Sequence, residues 1–505
     1  MKKYIIGIDI GGTNTDAVLI DNHKNIIKSL KTSTSSDVIS GIIKAVHNVS
    51  QDIHTNDIEY VSIGTTLAMN SLLESKNLYN IGIIRLAGYQ PDSIMPCFGW
   101  PNHIKNIVIG SHTINGGYEC DGREISSINE KEIVDAAKDL ISKGAEALVI
   151  NGTFSCIYKE QENKTYKMLK KYFPSIIIGL SSDFSHIGYI SRENTTIINT
   201  ALKKNFAKKL SSLKDALDKT IHHIFIVQNN GTLITIDEAI KFPIKTIAAG
   251  PTNSAIGGAL LAQHKDAIIV DIGGTSTDIA IISNGIPRKS MQSVSVGGIR
   301  IKISSPDMIS IALGGGSIIE ENDKNYIIGP LSVGYKLFEQ GYSFGGNTKI
   351  LTDAAIALNI FNHPLIQKKA FNEYQAENIF DTVIKKIDDA CQKINISQKN
   401  IPVILVGGGS QLLPKNKLLL HWIIPEHNEI ANAYGAACAK IAGTIERIIS
   451  SKGQSIDQII QDVEQEAINI AQKKGAINPI IVEKYILPFP YSKEEQIYIL
   501  ITAAG

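Results

Sequence analysis

One octapeptide occurs twice in this chain of 505 residues: DIGGTNTD over 9–16 and DIGGTSTD over 271–278, differing only at Asn14 against Ser276. The likeness runs into the flanks, IIGIDIGGTNTDAVLI over 5–20 and IIVDIGGTSTDIAII over 268–282. Copies so far apart are not solenoid units, whose period is about 20–50 residues. They mark the duplication of a whole folding unit. Each copy reads as a β-branched strand ending in Asp, a Gly-Gly-Thr turn, and a second apolar strand, so each predicts a β-hairpin. At roughly 150 residues per domain the chain has room for about three domains.

The turn residues suit an anion. Gly11-Gly12 and Gly273-Gly274 permit positive φ and let backbone N–H groups approach a phosphate with no Cβ between them. The hydroxyls of Thr13, Thr15, Thr275 and Thr277 add donors, each bond to a charged oxygen contributing roughly 1.5–3 kcal/mol. The other reading of these threonines is cross-strand pairing. Asp9 and Asp271 place a carboxylate beside the phosphates, where a hydrated Mg²⁺ would be held through water; the alternative role of Asp271 is to position an acceptor. Asp16 and Asp278 lie just past the turn. Neither copy fits G-x-G-x-x-G or G-x-x-x-x-G-K-[ST], which disfavours the Rossmann and P-loop readings.

Bulk properties narrow the partners. A net charge of +1 gives no basic field for nucleic acid or anionic lipid. No apolar run reaches the roughly 20 residues of a membrane span, and Met1-Lys2-Lys3-Tyr4 leads straight into a strand pattern, so the expectation is a cytoplasmic enzyme acting on small molecules. The five cysteines form no C-x-x-C pair, and the adjacent His222-His223 would point to opposite faces of a strand, so nothing marks a transition-metal site.

The two hairpins resemble the phosphate-1 and phosphate-2 motifs of the actin, sugar-kinase and heat-shock ATPase superfamily. That resemblance implies an α/β fold of two ribonuclease-H-like (actin-like ATPase) lobes closing over ATP, here with an inserted α/β domain. It also implies an adenosine-binding glycine turn, for which Gly407-Gly408-Gly409 is the choice and Gly314-Gly315-Gly316 the rival, and a helix over 430–437 crossing back to the first lobe. Within the superfamily the blocks VSIGTTLAMNSLLE (61–74), GGYECDGREI (116–125), SRENTTIINTAL (191–202), IAAGPTNSAIGGA (247–259) and LTDAAIALNI (351–360) resemble hydantoinase A and 5-oxoprolinase proteins.

The family resemblance implies an ATP-dependent hydrolase subunit that phosphorylates a lactam, imide or ketone oxygen, with Mg²⁺, to activate ring opening or carboxylation. The substrate would be a small cyclic amide or related carbonyl compound, and a hydrolytic partner subunit is expected; a homo-oligomer stays open. A small-metabolite kinase and an ATP-driven activator of a partner enzyme are the alternatives. Thr65, Thr66 and Asn70, at the end of a strand followed by a helix start, are expected to face the acceptor, with N-capping the other reading of the threonines. Arg85 is a further substrate candidate and, with Asp121, Arg123, Arg192 and Glu193, one of the insert's charged candidates, for each of which solvated surface is the other reading. The expected division is lobe one over 1–84, the insert over 85–260 shaping the acceptor pocket, lobe two over 261–430, and the crossing helix with a return to lobe one over 431–505. The apolar spacing of Ile459, Ile460, Val463, Ala467 and Ile468 predicts an amphipathic helix over 456–470, packed on lobe one or at a subunit interface.

Overall fold

In the computed structural model the described residues are 4–11, 14–33, 38–88, 94–217, 221, 223–290, 293–322, 325–396, 400–451, 453–488 and 496–505. Gly12, Thr13 and His222 lie outside them.

Both octapeptides form hairpins at the heart of equivalent sheets. Tyr4–Ile10 pairs antiparallel with Asn14–Asp21, which pairs antiparallel with Ile26–Ser33. On the other side Ile58–Thr65 and Ile224–Val227 add in parallel, and Leu233–Thr235 ends the sheet. In the second copy Ala267–Ile272 sits between Thr277–Ser283, antiparallel, and Val403–Val406, parallel, with Trp422–Ile423 beyond. Met308–Ile311 pairs with Thr277–Ser283 as Ile26–Ser33 does with Asn14–Asp21. The first strands are nearly continuous apolar runs because both faces are covered. Ile6 and Ile8 pack in a core with Ile42, Val46 and Val49 of helix Val38–Ser50, while Val18 and Ile20 pack against Ile430, Ala433 and Ala437.

A third sheet is wholly parallel, in the order Val108–Ile114, Ile81–Leu86, Ala147–Gly152, Ile177–Leu180. Helices Glu130–Ser142 and Glu160–Tyr172 cover its outer face with Ile133, Ala137, Leu140 and Leu169. Between this sheet and the first lobe runs the long helix Tyr189–Leu217, whose Ile197, Ile198, Ala201 and Leu202 share a core with Ile6, Ile81 and Val149.

The inserted sheet begins at Ile81, ahead of the expected boundary, and Ile224–Val227 and Leu233–Thr235 return to the first sheet although the 85–260 span would assign them to the insert. Strands of four and three residues carry no readable period, so only their pairing partner assigns them. At the C-terminal end Ala442–Ser450, Gln496–Ala504 and Ile480–Pro488 form an antiparallel sheet in that order. Helix Ile456–Lys473 covers it, and Ile459, Ile460, Val463 and Ala467 join Phe225, Val227 and Leu233 of the first lobe in one core.

Candidate functional site

Each turn closes by the same bond: Gly11 N–H donates to Asn14 O at 2.9 Å, and Gly273 N–H to Ser276 O at 2.9 Å. Directly paired residues of antiparallel strands share a face. Register therefore sets Asp9, Asp16 and Lys31 in one row across the first sheet, and Asp271, Asp278 and Ser310 in the matching row across the second.

Those rows converge under two short helices of parallel design, Ala249–Leu261 and Ala431–Cys438. Their sequences align as Asn253-Ser254-Ala255-Ile256-Gly257 on Ala431-Asn432-Ala433-Tyr434-Gly435. Glycine is required at the crossing, because a Cβ on Gly257 would lie 1.9 Å from Ala431 O and one on Gly435 would lie 2.0 Å from Asn253 O. The reciprocity is that of a pseudo-two-fold axis. Ser254 and Asn432, equivalent under it, hydrogen-bond to each other on the axis. Ser254 Oγ also bonds to Asp271, and Asn432 Nδ2 donates to Asp9 Oδ2 at 3.3 Å. A hydroxyl has one proton, so Ser254 donates to Asn432 or to Asp271 and not to both at once. Asn253 Nδ2 donates to the other Asp9 oxygen at 3.3 Å, and its own Oδ1 is buried without a hydrogen-bond partner.

Four carboxylates thus share one layer. Burial pushes Asp9 above the ordinary carboxylate range, against the Asn253 and Asn432 bonds and the Lys31 charge. Burial pushes Asp16 up to about 6, opposed by Lys31, whose Nζ lies 2.9 Å from Asp16 Oδ1. Asp271 is pushed up to about 6 by burial, with the Ser254 bond opposing and the Asp278 and Asp9 charges adding. Asp278 is raised by burial against a bond from Ser310. Such a layer favours a bound cation over ionised carboxylates left alone.

Both glycine triplets flank the second hairpin. Gly407, at φ +81°, closes over Asp271: a Cβ there would fall 2.2 Å from Asp271 Oδ1. Ser410 and Asn428 fix the turn, Ser410 Oγ bonding to Asn428 Oδ1 at 2.9 Å and Gly407 N–H to Asn428 O at 3.0 Å. A Cβ on Gly408 would meet nothing within 4 Å. The rival triplet instead braces the hairpin backbone, Gly315 N–H donating to Gly273 O at 3.0 Å and Gly316 N–H to Gly274 O at 2.7 Å.

Family models match this chain in two parts: the hydantoinase/oxoprolinase N-terminal region over residues 5–173, and hydantoinase/oxoprolinase over residues 192–401. One hairpin falls in each. The chain belongs to the hydantoinase/oxoprolinase family. The gamma subunit of acetophenone carboxylase from Aromatoleum aromaticum is 24% identical over 396 residues, 71% of this chain and 53% of that one. Subunit alpha of caprolactamase from Pseudomonas jessenii is 26% identical over 390 residues, again 71% of this chain and 54% of that one. The chain spans about half the length of the curated relatives it matches. Among solved structures, the ATP-dependent caprolactamase from Pseudomonas jessenii superposes with a TM-score of 0.77 at 18% identity, over 99% of this chain and 87% of that one. Nucleotide-free acetone carboxylase gives 0.74 at 17%, over 100% and 88%. At these identities the likeness is one of fold: α/β, with two actin-like lobes.

Within this family member the hairpins bring Asp9, Asp271, Gly11, Gly273, Gly274 and Thr275 to the layer between the lobes, with Gly407–Gly409 beside them. Thr277 takes the cross-strand role instead: it is fully buried and its hydroxyl donates to Leu313 O at 2.6 Å. Thr15 is likewise buried, 4% exposed, one residue out of step with Asp16 and so on the opposite face. Thr65 and Thr66 lie beside the first turn, since Thr65 pairs with Ile10, yet their hydroxyls serve local structure. Thr65 Oγ1 accepts from Leu67 N–H at 3.1 Å, and Thr66 Oγ1 donates to Ile10 O at 3.0 Å and accepts from Asn70 at 3.3 Å.

Arg85 is no substrate contact: it is 3% exposed and forms a two-pronged pair with the buried Glu193, both bonds 2.7 Å. Arg192, fully buried, donates to Gly152 O, Ser181, His186 O and Ile187 O. Arg192 and Glu193 sit in the helix between two sheets and Arg85 on a strand of the third sheet, a placement that charge alone does not announce. Sequence reasoning also missed Asn253, Ser254, Asn432 and Lys31. The signal was available for three of them: small residues spaced around Gly257 and Gly435 repeat between the two helices, as the hairpins repeat. Lys31 had no signal, because strand register selects it.

Proposed function

We propose that this chain is the ATP-using subunit of an enzyme that activates a carbonyl group, a lactam, imide or ketone, for ring opening or carboxylation. The observation that carries this reading is the pair of like hairpins meeting across the Ser254–Asn432 axis, in a chain of this family. Paired glycine turns suit a polyphosphate held between lobes, where catalysis is largely positioning and charge neutralisation. The turn-closing bonds occupy the N–H groups of Gly11 and Gly273, so on the second hairpin Gly274 and Thr275 are our choice for phosphate donors. Gly408, with open space above it, faces the adenosine.

Mg²⁺ fits the residues present through water better than by direct ligation. Both Asp9 oxygens already accept from Asn253 and Asn432, and Asp271 bonds to Ser254, while the buried Asn253 Oδ1 is an acceptor suited to a metal-bound water. Bound there, the ion would supply positive charge to the phosphates. Asp9 and Asp271 orient the site, and Thr65, Thr66 and Asn70, beside the first turn, border the acceptor side.

For a lactam, the carbonyl oxygen attacks the γ-phosphorus and the bond from that phosphorus to the ADP oxygen breaks, ADP leaving with the electron pair. Water adds to the activated carbon, the C–N bond breaks with a proton passing to nitrogen, and a second water releases phosphate. A partner subunit completes the hydrolytic half, since a phosphorylated lactam is best kept in a water-excluding interface. Such ATP-consuming work suits the cytoplasm. Among the described residues no helix is long and apolar enough to cross a membrane.

Calorimetry with a non-hydrolysable ATP analogue, with and without Mg²⁺, tests the reading, together with ATPase assays across lactams, hydantoins and ketones with and without a co-purified chain. Magnesium-dependent binding weakened by Asp9→Ala is expected. An Asp9→Ala, Asp271→Ala double variant that binds and turns over ATP like the parent sinks it.

A further inference from the structure

The two polar rows match at two places and differ at the third: Asp9–Asp16–Lys31 in the first lobe, Asp271–Asp278–Ser310 in the second. Lys31 is therefore what the duplication did not keep in common. From this asymmetry we infer that Lys31 is a nucleotide-contacting residue, the cationic arm that holds the terminal phosphate of the triphosphate against the first lobe. The inference rests on the ATP reading above.

Three observations support it, two of them geometric. Lys31 Nζ is held at the layer by Asp16, 2.9 and 3.0 Å from its two oxygens, and by Glu429 O at 3.0 Å, just ahead of the second crossing helix. Its side chain is 37% exposed against 10% for Asp16, so the ammonium can exchange a partner while the carboxylate stays in place. And among the described residues it is the cation whose charge favours ionised Asp9, Asp16 and Asp271 alike. A triphosphate brought against four carboxylates meets like charge, and a lysine ammonium with three donors is suited to reach a phosphate oxygen without giving up Asp16. Ser310 supplies no charge, so the matching row of the second lobe has no cation to offer a phosphate.

The test compares ATP and ADP binding to the full chain in the presence of Mg²⁺, by calorimetry. A charge-assisted bond made only to the terminal phosphate is worth about tenfold or more in affinity. Lys31→Met is therefore expected to weaken binding of a non-hydrolysable ATP analogue by about tenfold while ADP affinity changes by less than about threefold, and Lys31→Arg to restore most of the difference. Equal losses for ATP and ADP make Lys31 only the structural partner of Asp16 and overturn the inference, as does no loss at all. If Lys31→Met fails to fold, the double variant Asp16→Asn, Lys31→Met leaves no unpaired charge and carries the same two outcomes. A parent chain that binds neither nucleotide overturns the ATP reading itself, a result separate from the behaviour of Lys31.

Discussion

Two buried polar clusters lie in this molecule, and they are built on opposite terms. In the insert, Arg85 is matched by Glu193, which also accepts from Asn151, and Arg192 is tied through Ser181 to Glu162, which accepts from Gly152 and Ser182 N–H groups. Charge is balanced there, and bonds are made to the protein itself. Between the lobes, among the described residues, Asp9, Asp16 and Asp271 share the charge of Lys31 and Asp278 has only the Ser310 bond, so carboxylates outnumber cations; three of the four lie beside amide or hydroxyl groups on the crossing helices or a neighbouring strand. A cluster that balances itself specifies packing. One that keeps surplus carboxylates is arranged around something that arrives later. Sequence reasoning had Arg85 on the wrong side of this divide, because a lone Arg at a strand end looks the same in either cluster.

The sharpest way to break the comparison is to unbalance the first cluster. Glu193→Ala strands a buried guanidinium and is expected to cost about 3–5 kcal/mol of stability, since removing one partner of a buried pair leaves the other uncompensated. Chemical denaturation of the variant checks this. A loss below about 1 kcal/mol would mean that Arg85 finds other partners and that the insert cluster is not closed.

Next in size is the crossing itself. Gly435→Ala drives a methyl into Asn253 O, and overpacking of this kind costs about 1–3 kcal/mol. Because Asn253 holds Asp9, the variant is expected to lose magnesium-dependent nucleotide binding as well as stability. Retained binding in a destabilised protein would separate the crossing from the site.

A smaller and more selective effect is expected at Gly408, where a side chain meets open space. Gly408→Val should leave the melting temperature unchanged and lower ATP affinity by about tenfold, the equivalent of about 1.4 kcal/mol. Gly315→Val is the contrast: its Cβ would lie 3.1 Å from Leu412 and 3.3 Å from Thr352, so its first effect should be on stability. The reverse pattern would move the adenosine site to the rival triplet.

The smallest effect is a pH dependence that only the unbalanced cluster should show. Asp271 has its folded pKa raised to about 6 from an ordinary 3.8. The folded chain then binds more protons than the unfolded one between those values, so this group's contribution to stability falls as pH rises through that window. Asp271→Asn removes the ionising group, and without nucleotide it is expected to raise the melting temperature by about a degree or two near pH 8, with the gain fading toward about pH 5. A pH-independent difference would assign the change to packing. Glu193→Gln offers a control in the balanced cluster, where the variant should be less stable than the parent at both ends of the range.

Much of the architecture was legible before any coordinate. The repeated octapeptide announced the duplication because a Gly-Gly-Thr turn between two apolar strands leaves the backbone few alternatives; the crossing helix, which the family resemblance implied over 430–437, is observed at Ala431–Cys438. The amphipathic helix Ile456–Lys473 followed from its spacing alone. Local conformation and hydrophobic period are properties of neighbouring residues, so the sequence by itself determined them. Which side chains meet is a different kind of fact. That Lys31 stands beside Asp16 depends on the register of two strands, and that Ser254 reaches both Asn432 and Asp271 depends on two helices crossing at glycines far apart in the chain. Burial of Arg192 and Glu193 was decided by the sheets on either side of their helix. Only the tertiary structure settles such matters, because long-range packing fixes the partners of a polar group, and those partners decide whether it supports the fold or waits for a ligand.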